Sequence, residues 1–343
     1  MRTKFTPFVV TALVGFSSAA LLLANAIEPM MKAAVLHEHG GPEVLKYEDT
    51  LRPEPKDDEV LVKVMAAGVN PVDTYIRQGM RSKTASSDRA MIIGYDIAGV
   101  VEKVGAQVKS YKGGDAVYAY LPISRGGGYA EFAIAKEGEM SLKPKNIDFE
   151  KAAAVPLAAT TAWQALIESA KVEKGQTVLI HGGSGGVGSF AIQIAKARGA
   201  KVIATASTGN QDLLKQLGVD QPIDYTTTKF QDVVKDVDVV LNCVRADTLV
   251  PSYGVVKKNG IIVSITDEPD AAECSKRGIQ CSRLMAHPDS KVLEELTKLI
   301  EGNKITPIVS QTFPLAEVVK AQQQIETRHT RGKIVLKVAS DQK

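Results

Sequence analysis

The chain has 343 residues, with 42 Lys and Arg against 39 Asp and Glu and a formal net charge of +3. A charge balance this close to neutral gives no electrostatic reason to expect nucleic acid or an acidic membrane surface as a partner. The length exceeds what one hydrophobic core usually organises, so we expect two domains.

The first 26 residues have the pattern of a cleavable export signal. Arg2 and Lys4 precede an apolar run over residues 8–23, and the small residues of Ala-Asn-Ala follow at positions 24–26. Thr, Gly and Ser interrupt the run, so we expect no stable membrane span after cleavage. We predict export, to the periplasm in a bacterium. The alternatives are an uncleaved anchor and a cytoplasmic protein whose translation starts at Met30 or Met31.

The remaining chain divides into three parts by its hydrophobic patterns. Over residues 31–155, short runs such as KAAVL and DAVYAYL are separated by Gly, Pro and Asp, which predicts a β-rich domain. Over 156–287, helical and strand patterns alternate, which predicts an α/β domain with a doubly wound parallel sheet. The part 288–343 has two helical patterns and the strand KIVLKV, and we interpret it as returning to the first domain.

A glycine-rich loop between a predicted strand and a predicted helix indicates a dinucleotide site. Gly183, Gly185 and Gly188 satisfy G-x-G-x-x-G in that context. We expect Gly183 to make the tight turn, Gly185 to let the backbone approach a pyrophosphate, and Gly188 to let the helix pack closely. The N–H groups of Gly186 and Val187, at the helix start, would then face the phosphate charge.

The end of the next predicted strand favours NADP over NAD. An NAD site usually has a carboxylate there, whereas this strand ends in Ala206, Ser207 and Thr208. Ser207 and Thr208 can donate hydrogen bonds to a 2′-phosphate. No Arg or Lys follows before Lys215, so the usual cationic partner is absent or comes from elsewhere.

Three cysteines, Cys243, Cys274 and Cys281, form neither a disulfide framework nor a zinc pattern. We expect three ordinary thiols. A bridge between Cys274 and Cys281 in an oxidising compartment is the alternative.

A series of ordered motifs between Met31 and Val338 resembles one known family, the zinc-free quinone oxidoreductases related to zeta-crystallin, in the medium-chain dehydrogenase superfamily. The motifs are AAGVNPVDTYIRQG, IIGYDIAGVVEKVG, GGGYAEFA, AAAVPLAATTAWQAL, VLIHGGSGGVGSFAIQIAK, TFPLAEV and RGKIVLKV. The resemblance implies a β-rich GroES-like catalytic domain built from both chain ends, a Rossmann domain between them, and NADPH in the cleft. It also implies reduction of quinones or α,β-unsaturated carbonyls, by a homodimer.

The same resemblance implies roles for four side chains. Asn70 and Tyr75 match positions that face the substrate, and the Tyr75 hydroxyl can hydrogen-bond an acceptor oxygen that gains charge. The alternatives are an Asn that makes a turn and a Tyr satisfied within the β-rich domain. Thr161 matches a threonine near the nicotinamide, unless it caps a helix. Tyr225 matches a tyrosine near the adenosine phosphate, unless it is a core aromatic.

The zinc alcohol dehydrogenases are the alternative branch of this superfamily. They have a Cys ligand where this chain has Asn70, and a His-Glu pair where it has Tyr95 and Asp96. A catalytic zinc needs three ligands from Cys, His and carboxylate, and no Cys precedes Cys243. We therefore expect no metal, and acceptors that take hydride readily.

Several further residues carry weaker expectations. Tyr129 is expected in the core rather than on a cofactor, Lys333 in solvent rather than on a phosphate, and His181 as a packed residue. Many relatives have Asp and a Gly pair where this chain reads Asn-Cys-Val-Arg-Ala at 242–246, so Arg245 brings a charge to that point.

Two classes of function stay open at this stage. The leading hypothesis is an NADPH-dependent reductase of quinones or enones. The other is an NADP(H)-binding sensor or carrier with little turnover, which would keep the glycine loop. A Tyr75→Phe variant separates them, because the change slows a catalyst and leaves a binder unaffected.

Overall fold

The computed structural model describes residues 29–80, 90–245 and 247–339. The predicted export signal at 1–26 lies outside these residues. The strands are β1 Met30–Leu36, β2 Leu45–Leu51, β3 Val60–Val69, β4 Met91–Ile92, β5 Asp96–Val104, β6 Ala116–Tyr120, β7 Phe132–Ala135, β8 Met140–Leu142, β9 Thr177–His181, β10 Lys201–Ala206, β11 Gln221–Asp224, β12 Val237–Asn242, β13 Val256–Ser264, β14 Gln280–Arg283, β15 Val309–Pro314 and β16 Lys333–Lys337. The α-helices are α1 Pro71–Arg77, α2 Phe149–Ala153, α3 Pro156–Trp163, α4 Gly186–Ala197, α5 Gln211–Gln216, α6 Phe230–Val233, α7 Leu249–Ser252, α8 Ala271–Arg277, α9 Ser290–Glu301 and α10 Val318–Glu326. None of the helices in the described ranges is both long and apolar enough to cross a membrane.

A six-stranded parallel sheet confirms the predicted doubly wound domain. Its strand order is β11-β10-β9-β12-β13-β14. Counted from β9, this is 3-2-1-4-5-6, the usual order of dinucleotide-binding domains, with the switch point between β9 and β12. These two central strands are almost wholly buried, as their apolar sequences TVLIH and VDVVLN require in a sheet covered on both faces. A ligand crevice is therefore expected at their carboxyl ends.

The second large sheet combines strands from both parts of the chain. Its order is β15-β16-β3-β5-β6-β8, with β7 also paired to β3. Strand β16 runs antiparallel to β3, with Val335 opposite Gly68, so a strand from near the end of the chain borders the first β-rich part. A smaller sheet, β2-β1-β4, completes this β-rich GroES-like domain. The fold class predicted from the sequence is thereby confirmed.

Helix α9 lies between the two domains. Its buried residues share one core with alanines of α3 and α4, and Tyr118 of β6 donates a hydrogen bond to the carbonyl oxygen of Leu293 at 2.6 Å. The β-rich domain is thus held to the Rossmann domain by helix α9. This contact helps to fix the cleft between the domains.

A disulfide joins Cys274 of α8 to Cys281 of β14, so the expectation of three free thiols was wrong for these two. Helix α8 ends at Arg277 and is capped by Gly278, after which the chain turns back at once into β14. This turn places the two Cα atoms 6.2 Å apart, within the range that a disulfide spans. Cys243 is the free cysteine of the described residues.

Reducing this disulfide is expected to destabilise the protein. Closing a loop this short should contribute about 2 kcal/mol to the free energy of unfolding. Urea denaturation of wild type and of Cys274→Ser/Cys281→Ser, with and without dithiothreitol, measures this difference. Cys243→Ser is the matched control and should keep the full effect of reductant. Equal urea midpoints for oxidised and reduced wild type would contradict the prediction.

Candidate active site

The predicted dinucleotide loop connects β9 to α4, with Gly185 as the residue that caps the helix. The positive φ of the tight turn is at Gly182 (φ 74°), so the turn that we predicted at Gly183 is made one residue earlier. Gly183 is instead required by packing, because a Cβ there would come within 2.9 Å of Ala204 Cβ on the neighbouring strand. Its N–H donates to the carbonyl oxygen of Thr205 at 2.9 Å.

Gly188 and Gly185 differ in what surrounds them. A Cβ at Gly188 would overlap the carbonyl oxygen of Gly182 and lie 2.8 Å from Gly183 Cα, so α4 packs directly on the loop, as predicted. A Cβ at Gly185 would meet its nearest neighbour only at 3.4 Å. The open side of Gly185, together with the N–H groups at the start of the twelve-residue helix α4, fits a diphosphate group.

His181, at the end of β9, is a packed and hydrogen-bonded residue, as expected. It is fully buried, and its ring nitrogens lie 3.2 Å from Thr205 Oγ1 and 3.0 Å from Ser252 Oγ. Burial lowers the pKa of His181 to about 4. The ring is therefore neutral near pH 7, and it links β9 to β10 and α7 rather than supplying a proton.

The residues predicted to select the dinucleotide meet at the carboxyl ends of β10 and β11. Thr208 Oγ1 lies 2.9 Å from Thr226 Oγ1, and Ser207 Oγ accepts a hydrogen bond from the Asn210 amide at 3.1 Å. Tyr225 is 57% exposed, so the alternative that it is a core aromatic is wrong.

Asp224, the last residue of β11, is a carboxylate at this end of the sheet that the sequence analysis missed. It accepts a hydrogen bond from Thr226 Oγ1 at 2.7 Å, and hydrogen bonding from Thr208 and Thr226 holds its pKa below the usual range. The position at the end of a strand next to β10 was the available signal. That signal becomes specific only once β11 is known to lie beside β10.

Asn70 lies just before α1 and Tyr75 lies within it, at the side of the cleft formed by the β-rich domain. Asn70 is only 2% exposed, and its amide nitrogen donates to Asp96 Oδ2 at 2.8 Å while Lys333 donates to its Oδ1. Tyr75 is half-buried, and the Arg245 guanidinium lies over its ring at 4.9 Å from the centroid. Because Arg245 follows β12 of the Rossmann domain, this cation–π contact crosses the cleft.

Lys333 is buried, so the expectation of a solvated lysine was wrong. It is 4% exposed and its Nζ lies 2.9 Å from Asp96 Oδ2. The other carboxylate oxygen of Asp96 accepts from the N–H of Leu157 at 2.6 Å, in the first turn of α3. Thr161, one turn further along α3, bonds through Oγ1 to the carbonyl oxygen of Leu157 at 2.7 Å and does not cap the helix.

Asp73 is a fully buried acid that the sequence analysis did not single out. Its Oδ2 accepts from the N–H of Asn70 at 2.7 Å and from the hydroxyl of Tyr129, while Oδ1 has no hydrogen-bond partner among the described residues. Burial raises the pKa of Asp73 to about 7. Tyr129 is itself fully buried, as expected. The signal for Asp73 was its place three residues after Asn70 and two after Pro71, which is typical of the first turn of a helix.

The residues present do not fit a catalytic zinc. Asn70 offers an amide, Tyr95 is a buried phenol, and Asp96 is already paired with an ammonium group. Across residues 29–80, 90–245 and 247–339, no group of three or more His, Cys, Asp or Glu side chains is arranged to hold a metal ion.

Two sequence families match the chain. Residues 56–145 match the alcohol dehydrogenase GroES-like domain, and residues 217–336 match the family described as zinc-binding dehydrogenase. The second description names a metal for which the side chains around Asn70 provide no ligand set.

Individual relatives match over nearly the whole chain. The NADPH-dependent alkenal/one oxidoreductase of Arabidopsis thaliana chloroplasts is 40% identical, over 93% of this chain and 83% of its own. The 2-methylene-furan-3-one reductase of Solanum lycopersicum is 37% identical, over 98% of this chain and 87% of its own. The quinone oxidoreductase structure from Coxiella burnetii superposes with a TM-score of 0.85 at 35% identity, over 91% of this chain and 100% of its own.

Proposed function

The chain belongs to the quinone oxidoreductase family of the medium-chain dehydrogenase/reductase superfamily, and we propose on that basis that it is an NADPH-dependent, zinc-independent reductase of α,β-unsaturated carbonyls and quinones. One observation carries the proposal. The glycine loop and α1, with Asn70 and Tyr75, are joined at a single cleft, since Gly332 pairs with Gly185 and Lys333 reaches Asn70.

Conjugated carbonyl compounds are the favoured acceptors. The names of the plant relatives both describe a carbonyl group conjugated to a carbon–carbon double bond. Such acceptors take hydride without a Lewis acid, which suits a site with no set of zinc ligands. Quinones share this property, and the Coxiella burnetii relative is named for them.

Each part of the site has a role in this reaction. Bound NADPH supplies the hydride. The loop from Gly182 to Gly188 and the start of α4 hold the diphosphate, and Ser207 and Thr208 hydrogen-bond the 2′-phosphate. The Tyr75 hydroxyl donates to the acceptor oxygen as it gains charge. The Asn70 amide cannot supply a proton, and both of its ends are already hydrogen-bonded, so water supplies the final proton.

The proposed preference for NADPH over NADH has one opposing feature. Asp224 places a carboxylate beside Ser207 and Thr208, and a negative charge repels a 2′-phosphate. The N–H and Oγ1 of Thr226 both donate hydrogen bonds to Asp224 Oδ1 and so offset part of that charge. The ratio of kcat/KM for the two cofactors measures the balance, and we expect it to favour NADPH.

The test of the function is oxidation of NADPH and NADH by purified residues 27–343 with alkenals, alkenones and quinones as acceptors. Wild type should turn over. Tyr75→Phe should lower kcat on the order of 10²-fold, since it removes a hydrogen bond to the charged oxygen, and should leave the Kd for NADPH unchanged. Tyr47→Phe, at an exposed tyrosine of β2, is the matched control.

The possible outcomes separate the hypotheses. An active wild type with an equally active Tyr75→Phe would remove Tyr75 from the mechanism. A wild type that binds NADPH tightly but reduces none of the acceptors would leave the sensor or carrier hypothesis.

Export and a homodimer also belong to this proposal. The export pattern of residues 1–26 is supported by the Cys274–Cys281 disulfide, since such bonds persist in oxidising compartments. N-terminal sequencing of the fractionated protein tests export, and a first residue of Met1 or Met31 from the cytosol would rule it out. Strand β14 is an edge of the Rossmann sheet where two copies could pair, and light scattering showing a monomer would exclude the dimer.

A further inference from the structure

The ammonium group of Lys333 is bonded to residues from two distant parts of the catalytic domain. It donates to Asn70 Oδ1, at the start of α1, and to Asp96 Oδ2, at the start of β5. Asp96 is fully buried, and its Oδ1 accepts a hydrogen bond from the N–H of Leu157 in α3. One buried cation therefore joins the segments that carry Tyr75 and Thr161.

The backbone beside Lys333 is attached to the dinucleotide loop. The N–H of Gly332 donates to the carbonyl oxygen of Ser184 at 2.8 Å, and Gly332 forms an isolated bridge with Gly185. The lysine stem passes close to Gly186, where a Cβ would lie 3.0 Å from Lys333 Cδ. The position of the ammonium is thus tied to the loop that holds the diphosphate.

The two charges fix the orientation of the Asn70 amide. Its oxygen faces the Lys333 ammonium and its nitrogen faces the Asp96 carboxylate. Rotating the amide by 180° would place N–H groups against a cation and an oxygen against an anion. Both hydrogen bonds would be lost, inside a site where unpaired polar groups cost most.

We propose that Lys333 is the positioning residue of this site, and that its ammonium supplies the buried positive charge for which other members of the superfamily use a metal. The inference rests on the proposed function. The zinc branch has its ligands at the positions of Asn70, Tyr95 and Asp96. Here two of these three residues are bonded to an ammonium group instead.

The proposed reaction forms a negatively charged intermediate that a nearby cation would stabilise. A conjugated carbonyl acceptor takes the hydride at its β-carbon, and the electron pair of the double bond moves onto the carbonyl oxygen, which becomes an enolate. Water then protonates the α-carbon and the carbonyl re-forms. If the acceptor binds beside Asn70 and Tyr75, a fixed ammonium group near its oxygen would stabilise the enolate without reorganisation, and more strongly in a buried site than in water.

Lys333→Met tests the proposal, since methionine keeps most of the length and loses the charge. With wild type active, we expect kcat to fall on the order of 10²-fold while the Kd for NADPH, measured by fluorescence, changes by less than about threefold. Lys337→Met is the matched control, because Lys337 is on the same strand but exposed. An unchanged kcat, or a loss confined to NADPH affinity, would overturn the proposal.

A second variant covers the case in which Lys333→Met does not fold because Asp96 is left as an unpaired buried charge. Lys333→Met/Asp96→Asn removes both charges, and Asn can still accept from the N–H of Leu157. It should fold and remain slow. Wild-type turnover by this variant would show that the ammonium is not needed.

A readout without turnover separates failure of this proposal from failure of the proposed function. The side-chain amide signal of Asn70 in ¹⁵N-labelled full-length protein, assigned with Asn70→Leu, should shift in Lys333→Met and stay in place in Lys337→Met. If wild type were inactive, the reductase proposal would fail. An unmoved Asn70 signal would then also refute the positioning role, whereas a shifted one would support it.

Discussion

Gly188→Ala is expected to raise the Kd for NADPH on the order of 10²-fold or more and to lower the melting temperature. The new methyl group would overlap the carbonyl oxygen of Gly182, so either α4 or the loop must move. The N–H groups at the start of α4 would then point away from the diphosphate. Displacements of about 1 Å are enough to cause losses of this size.

Two other glycines provide the controls for this prediction. Gly185→Ala meets no protein atom closer than 3.4 Å, so it should melt like wild type. It should bind NADPH more weakly, because its methyl would lie on the open side of the loop where we expect the diphosphate. Gly138→Ala has no atom within 4 Å and should change neither property. Calorimetric titration and thermal melting measure both. Normal NADPH binding by Gly188→Ala would place the diphosphate elsewhere.

Asp73 and His181 are expected to give opposite pH dependences of stability. The pKa of Asp73 is raised in the folded state from 3.8 to about 7. The contribution of Asp73 to the free energy of unfolding is fully present below pH 3.8 and is lost as the pH rises through about 7. The total loss is on the order of 4 kcal/mol. The pKa of His181 is lowered from 6.5 to about 4. Its contribution is present above pH 6.5 and is lost as the pH falls, on the order of 3 kcal/mol.

Each effect is therefore masked by the other in wild type and is exposed by a single substitution. As the pH rises from 5 to 7.5, Asp73 lowers the free energy of unfolding of wild type, whereas Asn at this position does not titrate. The free energy of unfolding of Asp73→Asn should therefore increase by about 3 kcal/mol relative to that of wild type over this interval. Over the same interval, His181→Gln should fall behind wild type by about 2 kcal/mol. Urea unfolding at the two pH values measures both differences. Parallel profiles for all three proteins would show that neither group titrates as described.

The features that the sequence predicted are those that it encodes locally. The three glycines of the loop lie within six residues, between an apolar strand pattern and an amphipathic helix pattern. Both the loop and the parallel sheet could therefore be predicted. The turn was predicted one residue late because the G-x-G-x-x-G match begins at Gly183, whereas the positive φ is at Gly182, which lies just before the motif. The place of Ser207 and Thr208 at the end of β10 could be predicted from the strand pattern. Assigning Asp224 to the same site required knowing that β11 lies beside β10.

The features that the sequence did not predict depend on distant contacts. Lys333 was assigned to solvent because its partners, Asn70 and Asp96, precede it by 263 and 237 residues. Asp73 reads as an ordinary helix-start acid until Tyr129 and the surrounding sheet bury it. The cysteines were seven residues apart with no motif, and only the turn after α8 brings them together.

The pairing of Asn70 with Lys333 has a consequence for when the protein can become active. A chain emerging from the ribosome presents the glycine loop and α1 long before β16 exists, so for most of its synthesis Asn70 and Asp96 have no cation between them. Neither the finished cleft nor the attachment at Gly332 can form until residue 333 has been added. A polypeptide that is moved across a membrane as it is made would therefore complete its site only on the far side, and would have to acquire its dinucleotide there.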